Sequence, residues 1–307
     1  MGRPGVPVGH FPGGSMRRMN EPLPNPHILE LRAGALRLAL RPDLGGCIAG
    51  LWLDDVAVLR STEPAELAAS RPSGCYPLVP YSNRIGFRHF DWEGEAYTTQ
   101  PNFDQSPHSV HGVGWKRPWQ VVSATGTEAV LRYVHTADDH WPFAFEATQT
   151  FTLTPGGLQL RMAITNQADR TQPVGLGWHP YFPKRAHSHL HIEVAERWDS
   201  DPADELPRQA VAQPIIDAPV SELRFDNCFQ GWQGAALIRD EQLSMRLTSD
   251  LAYLVVFTPQ TKDYYCVEPV SHVSNAIQMA DPLAHGLVSL PPGQTHAGTM
   301  TLAVERA

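Results

Sequence analysis

The chain of 307 residues is short of several things at once. Its four cysteines, Cys47, Cys75, Cys228 and Cys266, include no CxxC pair, which argues against a zinc ribbon. The opening stretch "MGRPGVPVGHFPGGSMRRMN" has no apolar core of the secretory type. No apolar run approaches membrane-spanning length. Basic residues gather nowhere into a stripe; the nearest cluster is Arg17–Arg18, and the net charge is −8. A nucleic acid or an anionic membrane is therefore not an expected partner. There is no GxGxxG after a strand, no Walker loop, no HExxH and no GxSxG elbow, which disfavours nucleotide cofactors and serine hydrolysis. Helix signals are nearly missing as well: only "TEPAELAAS" (62–70) reads as a helix start, with Thr62 as cap and Pro64 in the first turn.

What the chain does have is turn residues, with 24 glycines and 28 prolines, and short alternating apolar runs between them. "ILELRAGALRLAL" reads as a hairpin about Ala33–Gly34, and "CIAGLWL" with "VAVLR" as another about Asp54–Asp55. In "FEATQTFTLTPGGLQLRMAIT", Phe145, Ala147, Gln149 and Phe151 alternate up to a Pro155–Gly156–Gly157 turn, and Leu158, Leu160, Met162 and Ile164 alternate beyond it. "AALIRDEQLSMRLTSDLAYLVVFTP" adds three strands, and "GLVSLPPGQTHAGTMTLAVE" adds two. Many short strands with little helix predict an all-β sandwich or barrel. With no linker or composition break, residues 27–307 read as one domain. Residues 1–26 read as a disordered leader, in which Met16 and Met19 are alternative starts. The four cysteines read as buried free thiols of a reducing cytoplasm.

Chemistry concentrates in the segments between strands, the usual seat of function on a β scaffold. Asn83 and Arg84 lie in "YSNRIG", where a planar guanidinium suits the binding of hydroxyls or a structural ion pair. His111 lies in "HGVGW", whose glycines permit close backbone approach, although a lone turn histidine is more often structural. His179 in "GLGWHPYF" is a titratable ring in an aromatic, proline-stiffened setting. It is a proton donor or a satisfied core histidine, and aromatic burial favours its neutral form unless a carboxylate adjoins it. Glu268 in "YYCVEP" follows an apolar run, where a carboxylate must be a base or half of a buried ion pair. Asp226 in "RFDNCFQGW" has Phe225, Phe229 and Trp232 around it, which suits a sugar ring or a packed corner. In "HSHLHIE", His187, His189 and His191 would share one face of a strand, as a solvated face or a zinc or copper site.

The set "NRIG", "HG", "WHPYF", "DNCFQGW" and "VEP", in that order over nearly the whole chain from residue 27, resembles the aldose 1-epimerase (galactose mutarotase) family. The resemblance implies a β-supersandwich of large, mostly antiparallel sheets. It implies interconversion of the α and β anomers of a free aldose without metal or organic cofactor. It makes His179 the proton-donating histidine, Glu268 the base, His111 the second active-site histidine, and Arg84 and Asp226 sugar-binding residues, with Asn83 beside them. On that reading the partner is a small sugar, and the assembly a monomer or homodimer. Glu268 is then expected to raise the pKa of His179 against the surrounding desolvation. The chain departs from the "NHTYF"-like pattern of many members, which leaves its sugar open. Lys116 and Arg117 after "HGVGW" keep a hexose-6-phosphate 1-epimerase in view, and a non-catalytic sugar-binding or sensing domain is the reading from another class.

Overall fold

The computed structural model describes residues 1–2 and 27–307, so the reading of 1–26 as a leader lies outside the described residues. Two large antiparallel sheets dominate. The first has 11 strands and runs from Leu29–Ala33 through Leu36–Arg41, Cys47–Leu53, Cys75–Leu78, Gly177–Pro183, Tyr264–Val270, Tyr253–Phe257, Asp226–Gln230 and Glu196–Ser200 to Pro207–Ala212, with Val56–Ala57 attached to Cys47–Leu53. The second has nine strands, with Gly157–Asn166 and Thr295–Arg306 at its middle. Residues of both sheets, such as Leu38, Leu40, Phe151 and Leu302, belong to one hydrophobic cluster. The all-β expectation holds.

The alternation read from the sequence is the alternation found. In Phe145–Thr154, Phe145, Ala147, Gln149, Phe151 and Leu153 point inward and their neighbours are partly exposed. This is period-two burial on a sheet with one wet face. Gln149 is the polar member of that inward row, and its Nε2 donates to the Gly46 carbonyl at 3.2 Å. The Pro155–Gly156 turn joins this strand to Gly157–Asn166 in full register. The hairpin about Ala33–Gly34 forms as expected. The one about Asp54–Asp55 keeps only Val56 and Ala57 on its second arm. The last two strands do not pair with each other: Val288–Leu290 pairs with Gln172–Val174, while Thr295–Arg306 lies at the heart of the second sheet.

The middle of the first sheet is different. Cys47–Leu53 and Cys75–Leu78 are buried at every position, as is Tyr264–Val270 beyond its first residue. Such strands are covered on both faces. The 62–70 segment forms turns instead of the expected helix. Arg41 bears on this locally: its Nη1 donates to the carbonyl of Pro64 at 2.5 Å, which a helix over 62–70 would use in its own ladder, and to that of Leu67 at 2.8 Å. Among the described residues no helix is long and apolar enough to cross a membrane.

Candidate active site

The site grows out of the centre of the first sheet. Gly177–Pro183 lies between Cys75–Leu78 and Tyr264–Val270, with His179 opposite Tyr76 on one side. On the other side Gly177 faces Val270 and Tyr181 faces Cys266, a register that puts His179 across from Glu268. His179 Nε2 is 3.4 Å from Glu268 Oε1, and both side chains are buried. Because side chains alternate across a strand, Trp178 and Phe182, one and three residues from His179 in sequence, turn to the opposite face. The aromatic setting of His179 is instead Tyr181, stacked at 4.4 Å between ring centroids, Tyr76 at 4.8 Å and His111 edge-on at 5.1 Å. Arg60 closes the stack, its guanidinium 3.6 Å from the Tyr181 ring centre.

His111 reaches the site from a tight turn. It has φ +65° and is followed by Gly112 at φ +70°. A Cβ on Gly112 would lie 2.2 Å from the Val79 carbonyl oxygen. That oxygen accepts from the N–H groups of Val113 at 3.0 Å and Gly114 at 3.1 Å. The close approach made by this glycine is therefore to Val79 and not to a ligand. The Asn83 N–H donates to His111 Nδ1 at 3.2 Å, so the neutral ring carries its proton on Nε2. Asn83 also fixes Arg84: its Oδ1 accepts from the Arg84 backbone N–H at 3.0 Å and from Nη1 at 3.1 Å. Arg84 Nη2 lies 2.6 Å from Glu205 and 3.8 Å from Asp226. Asp226 opens the Asp226–Gln230 strand and is not in a loop.

All six residues singled out from the sequence, Asn83, Arg84, His111, His179, Asp226 and Glu268, line one cavity of about 310 Å³. Its electrostatics are set by desolvation. Burial holds the Glu268 carboxyl well above its usual range; Asp226 adds to the rise and Arg84 opposes it. Burial, with help from His111 and Arg60, holds His179 well below its usual value. Burial, Arg84 and Arg71 bring His111 down to about 3. The walls of the cavity raise Asp226, an effect that Arg84 opposes and Glu205 reinforces. The expectation that Glu268 would raise His179 is thus overturned. Desolvation is the largest cause on each partner and disfavours the charged form of both.

Two further sequence candidates fall elsewhere. Lys116 lines an adjoining cavity of about 340 Å³, which shares Arg71 and Phe103 with the first, and Arg117 pairs with Asp138 at 3.0 Å. The three-histidine face does not form, because His187 precedes the His189–Ile192 strand. His189 and His191 each lie 3.5 Å from Asp217, away from the cavity. Among the described residues the set of donors compact enough for a metal ion is His179, Cys266 and Glu268, whose ligand atoms lie within 4.8 Å of one another.

Residues 27–303 match the family model described as aldose 1-epimerase. The chain belongs to the aldose 1-epimerase family. The uncharacterized protein YphB of Escherichia coli K12 is 31% identical over 297 residues, spanning 91% of this chain and 99% of that one. A solved Escherichia coli K12 structure, provisionally named an aldose 1-epimerase, is 29% identical with a TM-score of 0.83 over 91% of this chain and 99% of its own. A galactose mutarotase-like protein of Clostridium acetobutylicum, 20% identical, shares the fold with a TM-score of 0.80 over 91% and 95% of the two chains. Seen as an epimerase-family site, the cavity contains residues that reasoning from sequence passed over: Tyr76, Tyr181 and Tyr264 as walls, and Arg71, Glu205 and Lys262 as charges. The period-two pattern could have found Tyr181 and Tyr264, which share strand faces with His179 and Glu268. Nothing local in the sequence marks Glu205.

Proposed function

We propose that the protein interconverts the α and β anomers of a free aldohexose by opening and reclosing the ring. The observation that carries this is the buried His179–Glu268 pair, 3.4 Å apart in a cavity also lined by Arg84, Asp226, Tyr76 and Tyr181. Ring opening needs a proton taken from the C1 hydroxyl and another given to the ring oxygen. Burial disfavours the charge on both members, so in this scheme the pair starts with one proton, on Glu268. Passing it to His179 leaves a carboxylate that takes the C1 hydroxyl proton and an imidazolium that donates to the ring oxygen. Rotation about C1–C2 presents the other face of the aldehyde, and the transfers run backwards. The pair ends with the proton it began with. Each transfer contributes roughly 10²–10⁴-fold.

The other residues position the sugar. His111 would donate from Nε2 near the ring oxygen. Arg84, oriented by Asn83, would donate to hydroxyls that do not react, and Asp226 would accept from them. The tyrosine walls suit the apolar faces of the ring. Lys116 and Arg117 do not line the cavity and so do not mark it for a phosphosugar. Sugar binding alone would not call for a buried acid–base pair. Four buried free thiols fit a reducing, cytoplasmic setting.

Polarimetry tests the proposal. Freshly dissolved α-D-galactose and α-D-glucose should relax faster with the protein than in buffer. The Glu268→Gln and His179→Asn variants, folded by circular dichroism, should each lose most of kcat. Rotation no faster than buffer on both sugars would refute free-aldose turnover, and full activity in either variant would refute its assigned role.

A further inference from the structure

Glu205 stands out on two independent grounds. Its carboxylate lines the cavity and makes the tightest contact to Arg84, at 2.6 Å, while its side chain is 64% exposed. Its backbone is also in the left-handed region, φ +59°, where glycine or asparagine is at ease and a longer side chain is strained. The segment 201–206 holds that conformation by its own hydrogen bonds. The Glu205 N–H donates to the Asp201 carbonyl at 2.7 Å, the Ala203 N–H to Asp201 Oδ1 at 2.9 Å, and the Leu206 N–H to Asp204 Oδ1 at 3.0 Å.

The segment is also tied to the site. His108, buried, accepts the Phe87 N–H at Nδ1 (2.9 Å), so its Nε2–H donates to the Asp204 carbonyl at 2.7 Å. Leu206 packs against Gly86. Both anchors adjoin Arg84, and both set the position of Glu205. A strained residue held in place by its surroundings at the rim of a site is a sign that its side chain is used.

We propose that Glu205 is a substrate-binding, specificity-determining residue that accepts a hydroxyl on the part of the aldose remote from C1. Charge runs across the cavity in order. Arg84 Nη2 lies 2.6 Å from Glu205 and 3.8 Å from Asp226; Asp226 stands in the sheet, one strand removed from that of Glu268, whereas Glu205 lies in the connection between two strands at its edge. Arg84 thus sits between two carboxylates. With donors at the centre and acceptors on either side, the row suits neighbouring hydroxyls, which both donate and accept. Asp226 serves the side near the reacting carbon, and Glu205 the far side, where hexose epimers differ. This inference rests on the aldose reading of the site.

The test is the steady-state anomerisation of α-D-galactose and α-D-glucose by the wild type, Glu205→Gln and Glu205→Gly, with the melting temperature of each. In both variants KM should rise roughly tenfold, the factor one charge-assisted hydrogen bond supplies, with kcat unchanged. The galactose-to-glucose ratio of kcat/KM should move. The melting temperature of Glu205→Gly should stay or rise, because glycine accepts the left-handed backbone. A purely structural Glu205 would lower it. Unchanged KM and ratio, a fall in kcat with KM unchanged, or a lower melting temperature in Glu205→Gly would each overturn the proposal. If the wild type turns over neither sugar, the aldose reading fails by itself. Glu205 is then judged by calorimetric binding of the same sugars: weaker binding by Glu205→Gln supports it, and equal affinity or no binding to the wild type overturns it.

Discussion

Glu268 and His179 are each destabilised as charges by the same burial. This has a consequence for stability apart from turnover. The folded pKa of Glu268 is raised above the ordinary 4.5. Between that value and the raised one, the unfolded chain ionises and the folded chain does not, so stability falls as pH rises through this window. Glu268→Gln removes the ionisation and keeps the shape. It should lose most of kcat yet melt at a higher temperature than the wild type at neutral pH. The gain should fade as pH drops below the ordinary carboxylate value. Thermal melts of both proteins across pH would show it, and a variant less stable at neutral pH would contradict the raised pKa of Glu268.

At the scale of elements, the site depends on how a turn is pressed against a strand. His111 and Gly112 take successive left-handed conformations beneath Val79, and His111 Nδ1 and Asn83 join that turn to Arg84. Gly112→Ala would put a methyl 2.2 Å from the Val79 carbonyl oxygen. It should destabilise the fold by roughly 1–3 kcal/mol and displace His111, so that KM rises as well. Denaturant unfolding and sugar kinetics on the same variant check both effects. The turn was legible as "HG", but its partner was not, because Val79 is 33 residues away in sequence and adjacent only in the fold.

For the whole molecule, neutral buried histidines set the acid limit. His111 is held down to about 3 and His272 to about 4, both from 6.5 and chiefly by burial; His179 is lowered as well. Below 6.5 the unfolded chain takes up protons that the folded one refuses, so stability is lost as pH falls from 6.5 toward 4 and 3. Urea midpoints should therefore decline across that interval. Replacing His272, which lies outside the cavity, by Gln should flatten the decline and leave the sugar kinetics near wild type; an unchanged slope would remove His272 from this account.

By itself the sequence determined the strand-rich class and the main hairpins, because period-two burial and Pro–Gly turns are local. It also pointed to Asn83, Arg84, His111, His179, Asp226 and Glu268, because the motifs that carry them are contiguous. It placed a helix at 62–70 where the structure has turns and Arg41 donates to two of the carbonyls. It grouped three histidines that the strand boundary separates, and set Lys116 and Arg117 near a site they do not reach. Only the tertiary structure decided which aromatic rings surround His179, since alternation sends its nearest neighbours to the opposite face. It also set the desolvation that raises Glu268 and lowers His179, and brought Glu205 to the cavity. Desolvation and contacts between distant strands exist only once the sheets have closed around them.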